Sequence, residues 1–88
     1  MEDSKGIKKI VTDQSITIQG GNYDSLVIGP IPKEEVSDFL FTTYEVKPPM
    51  SEVFLVGYDI KGSNSIELTF YNKGTNDVTI KGHYAIRT

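Results

Sequence analysis

The last third of the chain is the sequence feature that most constrains its fold. Across residues 65–87, apolar and polar side chains alternate, and the five turn-forming residues 72–76 interrupt that alternation once. A period of two residues is typical of a β-strand with one buried face and one solvated face. A turn-rich connection between two such runs favours an antiparallel hairpin. The sequence therefore predicts two closing strands whose apolar face is covered by the rest of the chain.

The alternation divides the closing strands into two faces. The inner face is predicted to carry Ile66, Leu68, Phe70, Val78, Ile80, Tyr84 and Ile86. His83 falls on the other face, between Lys81 and Arg87, and it is the one histidine of the chain. Without a second histidine or a cysteine, the chain lacks the ligands of a common zinc site. We expect His83 to be a solvated or interface residue, with a catalytic or metal-binding role as the alternative.

Two shorter strands are predicted in the first third of the chain. Residues 15–19 alternate with Ile16 and Ile18 inward, and residues 23–28 alternate with Leu26 and Ile28 inward. The glycine-rich residues 20–22 between them have hairpin chemistry. Before them, residues 7–11 favour a short edge strand.

Prolines and acidic residues mark the next connection. Pro30 and Pro32 end the strand, because proline lacks the amide donor that a sheet requires. Residues 33–36 favour at most one helical turn, with acidic residues near the positive end of its dipole. The aromatic and β-branched residues that follow predict a strand over residues 38–46.

The strand predicted over residues 52–60 is apolar on both faces. Simple alternation assigns Val53 and Leu55 to one face, and Phe54, Val56, Tyr58 and Ile60 to the other. Strands of this kind are buried on both faces, so we expect a second covering layer, which another subunit could provide. Gly57 and Gly82 interrupt strands and indicate a bulge, a bend or a close backbone approach.

These segments predict an all-β fold. We expect a compact antiparallel β-sandwich, jelly-roll-like, with six to seven short strands and at most one short helical turn near residues 33–36. The 88 residues are enough for one domain, predicted over residues 7–88 after a flexible segment at 1–6. So small a domain has a thin stability margin, and oligomerisation is a common remedy.

Charge and hydropathy exclude several classes of function. The net charge of −3 and the pI near 5.0 disfavour a nucleic-acid binder, which carries a basic face. The apolar runs are far shorter than the roughly 20 residues that span a bilayer. No apolar segment follows a basic start, so we expect synthesis in a cytoplasm without a signal peptide. No cofactor is predicted.

The acidic residues do not have the arrangement that hydrolysis requires. Glu34, Glu35 and Asp38 are close in sequence, whereas a glycosidase needs two carboxylates that flank a cleft. The serines lack a Gly-x-Ser-x-Gly motif. We therefore expect a protein that is not an enzyme.

The aromatic residues are the remaining candidates for a functional surface. Exposed tyrosines can anchor an interface or stack on a sugar, whereas packing inside the sandwich is the alternative. The candidate surface residues are Tyr44, Val56, Tyr58, Ile60 and Tyr71.

The order of features over residues 22–87 resembles a small β-sandwich domain of bacteriophage virion proteins, found in tail-fibre, head-fibre and receptor-binding components. The resemblance is carried by residues 24–29, 56–60 and 65–72, followed by a short turn and a last aromatic strand. The Pro48-Pro49 loop departs from this type. The resemblance implies a non-enzymatic structural or accessory protein of the virion, made in the host cytoplasm. Its partners would be other virion subunits, a second copy, or a host cell-surface glycan. The alternative is a small carbohydrate-binding module.

Overall fold

The computed structural model describes residues 6–88, which form two three-stranded antiparallel sheets packed face to face. In chain order the elements are β1 (Ile7–Ile18), β2 (Tyr23–Ile28), α1 (Lys33–Val36), β3 (Phe39–Lys47), β4 (Val53–Lys61), β5 (Ser65–Asn72) and β6 (Val78–Arg87). Sheet A has the strand order β1-β6-β3, and sheet B has the order β2-β5-β4. The predicted all-β sandwich is confirmed.

The strand pairing is nested. The first strand pairs with the last, and the second strand pairs with the one before the last. Such nesting is the jelly-roll-like order that the sequence analysis expected. The predicted helical turn is confirmed as α1, whose four residues make it far too short to cross a membrane, and the described residues contain no longer helix.

The predicted hairpin between the two closing strands is wrong. β5 and β6 lie in different sheets, so residues 73–77 cross between the layers. Asn72 explains this, because its buried side-chain amide donates to the carbonyls of Ile18, at 2.9 Å, and Asn76, at 2.7 Å. Its side-chain oxygen also accepts from the Gly74 amide at 3.0 Å. These bonds tie the end of β5 to the last residue of β1 in the opposite sheet.

The glycine-rich residues 20–22 also cross between sheets and do not form the expected hairpin. Gly20 packs against the other crossing so closely that a Cβ atom there would lie 2.6 Å from the backbone carbon of Thr75. The two crossings therefore close one end of the sandwich together.

The core lies between the sheets, and its members agree with the predicted inner faces of β2, β5 and β6. The buried cluster comprises Ile18, Leu26, Ile28, Ile31, Ile66, Leu68, Phe70, Val78, Ile80, Tyr84 and Ile86. At Gly82 a Cβ atom would lie 2.8 Å from Cγ1 of Ile28, which confirms the close approach indicated by a glycine inside a strand.

The N-terminal segments differ from the prediction. Residues 7–18 form one continuous strand, β1, in place of two short ones, with a register irregularity between Val11 and Ser15. The expected flexibility of residues 1–6 concerns mainly residues outside the described range. Gly6, which is described, exchanges backbone and side-chain hydrogen bonds with Thr88.

Candidate interaction surface

A β-bulge divides β4 and changes which of its side chains share a face. Leu55 lies opposite Phe70 of β5 and Tyr58 lies opposite Leu68, whereas Val56 has no opposite residue. Directly opposed residues of an antiparallel pair point to the same side of the sheet. Leu55 and Tyr58 therefore both lie on the inner face, and the face assignment from simple alternation is wrong. The bulge that Gly57 indicated is confirmed.

The inner face of β4 is uncovered from Leu55 to Ile60, whereas Val53 at its start is half-buried and packs against the core. The prediction that this strand is buried on both faces is therefore wrong among the described residues. Tyr58 is 54% exposed and Ile60 is 67% exposed, although their opposite residues on β5 are buried. On the side of sheet A, the Tyr44 ring of β3 meets the Phe70 ring of β5 edge-on, with ring centroids 4.8 Å apart. On the neighbouring strand β4, Leu55, Tyr58 and Ile60 lie on the inner face and are exposed.

The other side of β4 is exposed as well. Phe54 lies opposite Tyr71 on the outer face of sheet B, and the bulge residue Val56 is also exposed. We define the β4 surface as Phe54, Leu55, Val56, Tyr58 and Ile60, all of which are exposed.

One edge of β4 is free within residues 6–88. β4 is the last strand of sheet B and pairs only with β5. Natural proteins protect such edges with charges, prolines or a covering element, because an unpaired edge binds other strands. An edge strand with apolar side chains on both faces is therefore a candidate binding surface.

Charged residues lie at the two ends of this strand. Lys61 is the last residue of β4, and its ammonium lies 3.3 Å from the Asp59 carboxylate and 3.5 Å from that of Glu67. The hydrogen bond from Lys61 to Asp59, with a further contribution from Glu67, raises the pKa of this ammonium. Glu52 precedes the first residue of β4 and is exposed. An acid therefore precedes the strand, and the last residue of the strand is a base that contacts two acids of its own chain.

A groove opens between α1, the start of β3 and the end of β4. Its volume is about 150 Å³. The lining side chains are mainly apolar and include Ile31, Val36, Phe39, Tyr58, Ile60 and Ile66. A cavity of this volume holds about one aromatic ring, whereas pockets for small-molecule ligands measure roughly 300–1,000 Å³. The groove can therefore accept a single apolar side chain.

The five sequence-predicted surface residues do not form one site. Tyr58 and Ile60 lie together in the groove, and Val56 lies at the bulge of the same strand. Tyr44 lies on the inner face of sheet A, where its ring packs on Phe70. Tyr71 is on the outer face of sheet B. The sequence analysis missed Leu55 as a partner of Tyr58, although Gly57 carried the signal of the bulge that brings them to one face.

Three aromatic residues form a row across the outer face of sheet B. Tyr71 of β5 lies directly between Tyr23 of β2 and Phe54 of β4. The rings of Tyr23 and Tyr71 are 4.6 Å apart and inclined by 33°, so they pack on each other. Tyr23 was not among the predicted site residues.

His83 is buried, and the prediction of a solvated histidine is wrong. It is 5% exposed because β6 is the central strand of sheet A, and Val11 and Thr43 lie directly opposite it on the two neighbouring strands. Neither ring nitrogen has a hydrogen-bond partner in the described part of the chain. Burial lowers the pKa of His83; nearby Lys9 and Lys81 lower it further, and Glu45 opposes them.

An acidic residue of α1 makes a contact with β6. Residues 6–88 contain no cluster of three His, Cys, Asp or Glu side chains that could hold a metal ion. Glu35 instead accepts a hydrogen bond of 2.6 Å from the Tyr84 hydroxyl, which ties α1 to β6. Burial together with this bond raises the pKa of Tyr84 to about 12.

Comparison of the chain with known protein families, with curated protein sequences and with solved structures finds no significant match.

Proposed function

We propose that this protein is a non-enzymatic interaction domain, a structural or accessory component of a bacteriophage virion that binds a protein subunit through the β4 surface. One observation carries the binding proposal: an edge strand exposes apolar side chains on both faces and has no pairing partner among residues 6–88. Isolated exposed apolar residues are common, whereas a contiguous set on a free edge marks an interaction site.

The geometry of β4 favours a protein partner. A strand added to a free edge forms main-chain hydrogen bonds along its length, and pockets beside the edge select its side chains. The groove beside Tyr58 and Ile60 has the volume for one such side chain. Burial of this apolar surface would contribute roughly 25 cal/mol for each Å² removed from water.

The virion assignment depends on architecture and feature order. Jelly-roll sandwiches occur in viral capsid proteins and also in lectins. The likeness of residues 22–87 to small virion domains favours the first class, and it is an analogy at the level of the fold.

Site-specific photo-crosslinking tests the binding proposal. A photoreactive phenylalanine analogue replaces Ile60 in the cells that naturally produce the protein, and Val27 is the matched control position. Val27 is an exposed apolar residue on β2, the other edge strand of sheet B. We expect a protein adduct from position 60 and none from position 27. Equal adducts from both positions, or none from either, would overturn the proposal.

Analysis of purified particles tests the virion assignment. Mass spectrometry should find the protein in virions, and the neighbouring genes should encode head or tail proteins. Absence from the particles, with neighbouring genes for polysaccharide degradation, would instead favour a carbohydrate-binding module.

The aromatic row on sheet B is the observation that favours this second candidate. Tyr23, Tyr71 and Phe54 lie side by side on an exposed face, where rings can stack on sugars. However, Tyr23 and Tyr71 pack on each other, so each has one ring face left for a ligand. A cell-wall glycan array tests this candidate. Binding that Tyr71→Ala abolishes and Tyr58→Ala preserves would support it, and absence of binding would reject it.

A further inference from the structure

We infer that the subunit bound by the β4 surface is a second copy of this chain, whose β4 pairs antiparallel with the first about a two-fold axis. This inference rests on the proposed function and names its partner. It would join the two B sheets into one six-stranded sheet of order β2-β5-β4-β4-β5-β2, a size within the usual range of natural sheets.

The bulge determines which residues can oppose each other in such a pair. In a two-fold interface, each residue of one copy faces a residue of the other, and the reverse contact is identical. Opposed residues must also lie on the same face of the sheet. Leu55 and Tyr58 satisfy this condition because the unmatched Val56 brings them to the same face.

One register uses the whole strand and keeps the inner faces together. In this register Leu55 opposes Tyr58 of the partner subunit, and Val53 opposes Ile60 of the partner subunit. Tyr58 and Ile60, which line the groove, then lie beside two apolar side chains of the second copy. The exposed inner face of β4 in one copy then continues directly into the inner face of β4 in the other copy.

The charges at the strand ends are complementary in the same register. It places Glu52 opposite Lys61 of the partner subunit, and the two-fold axis repeats this pair at the other end. Both residues are exposed in the isolated chain, and Lys61 would meet Glu52 of the partner subunit in addition to its own contacts with Asp59 and Glu67. Pairs at the rim of an interface contribute mainly to register and partner choice. The ends of β4 thus match a second copy of β4 in charge as well as in hydrophobicity.

Reciprocal charge reversal tests the inference. Glu52→Lys or Lys61→Glu alone places like charges opposite each other at both ends of the dimer. We expect the dissociation constant of either variant to rise at least about tenfold, because like charges in opposition disfavour a partner. A mixture of the two single variants, and the double variant alone, should dimerise more tightly than either single variant. Glu52→Lys is the cleaner single variant, because Lys61→Glu also removes the contacts of Lys61 with Asp59 and Glu67. Sedimentation velocity measures the dimer, and native mass spectrometry of an isotope-labelled mixture identifies the heterodimer.

Lys8→Glu is the matched control for Lys61→Glu. It makes the same change in net charge on β1, an exposed position in the other sheet, and it should leave dimerisation unchanged. Circular dichroism and thermal unfolding of each variant show that its sandwich remains folded.

Two results would overturn the inference. One is a chain that remains monomeric up to millimolar concentration, and the other is a dimer that both single reversals leave intact. If the chain is monomeric and crosslinking from position 60 captures a different protein, self-pairing fails while the proposed function stands. If the chain is monomeric and position 60 captures nothing, both fail.

Discussion

The two edge strands of sheet B differ in how they are covered, although both pair with β5. Leu68 lies between Leu26 of β2 and Tyr58 of β4, and Ile66 lies between Ile28 and Ile60. Leu26 and Ile28 are 2% and 0% exposed, whereas more than half of the surface of Tyr58 and of Ile60 is open to solvent. Strand pairing alone therefore does not bury an inner-face side chain.

The opposite layer causes this difference. β2 lies beneath sheet A, where the missing side chain of Gly82 lets Ile28 approach the backbone of β6. β4 lies on the far side of β5 from β2, and its inner-face side chains from Leu55 to Ile60 are exposed. The covered strand stabilises the isolated fold, and the uncovered strand remains available for a partner.

The largest predicted effect compares Ile28→Ala with Ile60→Ala. Both residues lie opposite Ile66, so the two substitutions remove the same atoms from neighbouring strands. Ile28→Ala should lower the free energy of unfolding by about 3–4 kcal/mol, because it leaves a cavity in the core. Ile60→Ala should change it by less than about 0.5 kcal/mol in dilute solution. Urea unfolding at low protein concentration measures both, and similar losses would contradict the proposed difference in cover.

Asn72→Ala tests the connection between β5 and β6, where the Asn72 side chain ties β5 to the end of β1 in sheet A. It removes two donated hydrogen bonds and one accepted bond from a buried site. The unpaired backbone groups should lower the free energy of unfolding by about 2–3 kcal/mol. Asn76→Ala is the control, since Asn76 takes part in this network through its backbone carbonyl. Thermal unfolding should show little change for Asn76→Ala, and equal losses would show that the network does not stabilise the crossing.

Two glycine-to-alanine substitutions test the same difference in packing between the β2 side and the β4 side of the sandwich. Gly82→Ala places a methyl group 2.8 Å from Ile28 in the core, and the overpacking should cost about 1–3 kcal/mol. Gly57→Ala on the open face of β4 meets the Cβ of Thr69 at 3.1 Å. A shift of a few tenths of an ångström relieves this contact, and β4 is an edge strand that can move by that amount, so this change should cost less than about 1 kcal/mol. Chemical denaturation measures the free energy of unfolding of both variants. A larger loss for Gly57→Ala than for Gly82→Ala would contradict the tighter packing between β2 and β6.

Tyr84→Phe should have a small effect at neutral pH, about 1 kcal/mol, through loss of the hydrogen bond to Glu35. The raised pKa of Tyr84, about 12, also predicts that the stability of the fold depends on pH in alkaline solution. The folded chain resists deprotonation of this hydroxyl more than the unfolded chain, whose tyrosine pKa is about 10. The stabilisation is therefore complete below pH 10 and is lost as the pH rises toward 12.

Urea midpoints between pH 8 and pH 11 measure this dependence. The Phe variant should lose less stability with rising pH than the original chain. Tyr23→Phe, on the exposed outer face of β2, is the control and should retain the original pH dependence. Identical slopes for Tyr84→Phe and the original chain would contradict the role of the buried hydroxyl.

The sequence determined the strand positions, most of the inner faces and the single helical turn. Alternation of side chains is a property of the extended backbone itself, so a period of two residues could be recognised in each segment alone. Gly57 and Gly82 also indicated the bulge and the close approach, because both features favour the absence of a side chain.

Only the tertiary structure decided which strands pair, what covers them and where the candidate surface lies. The turn-forming residues after β5 favour a hairpin, whereas the hydrogen bond from Asn72 to Ile18 ties the end of β5 to the other sheet. His83 looked solvated because alternation cannot show that β1 and β3 flank it. β4 looked buried because its composition resembles that of a core strand, whereas its exposure depends on where sheet A ends. Pairing and cover arise from contacts between residues far apart in the chain, and no local pattern records them.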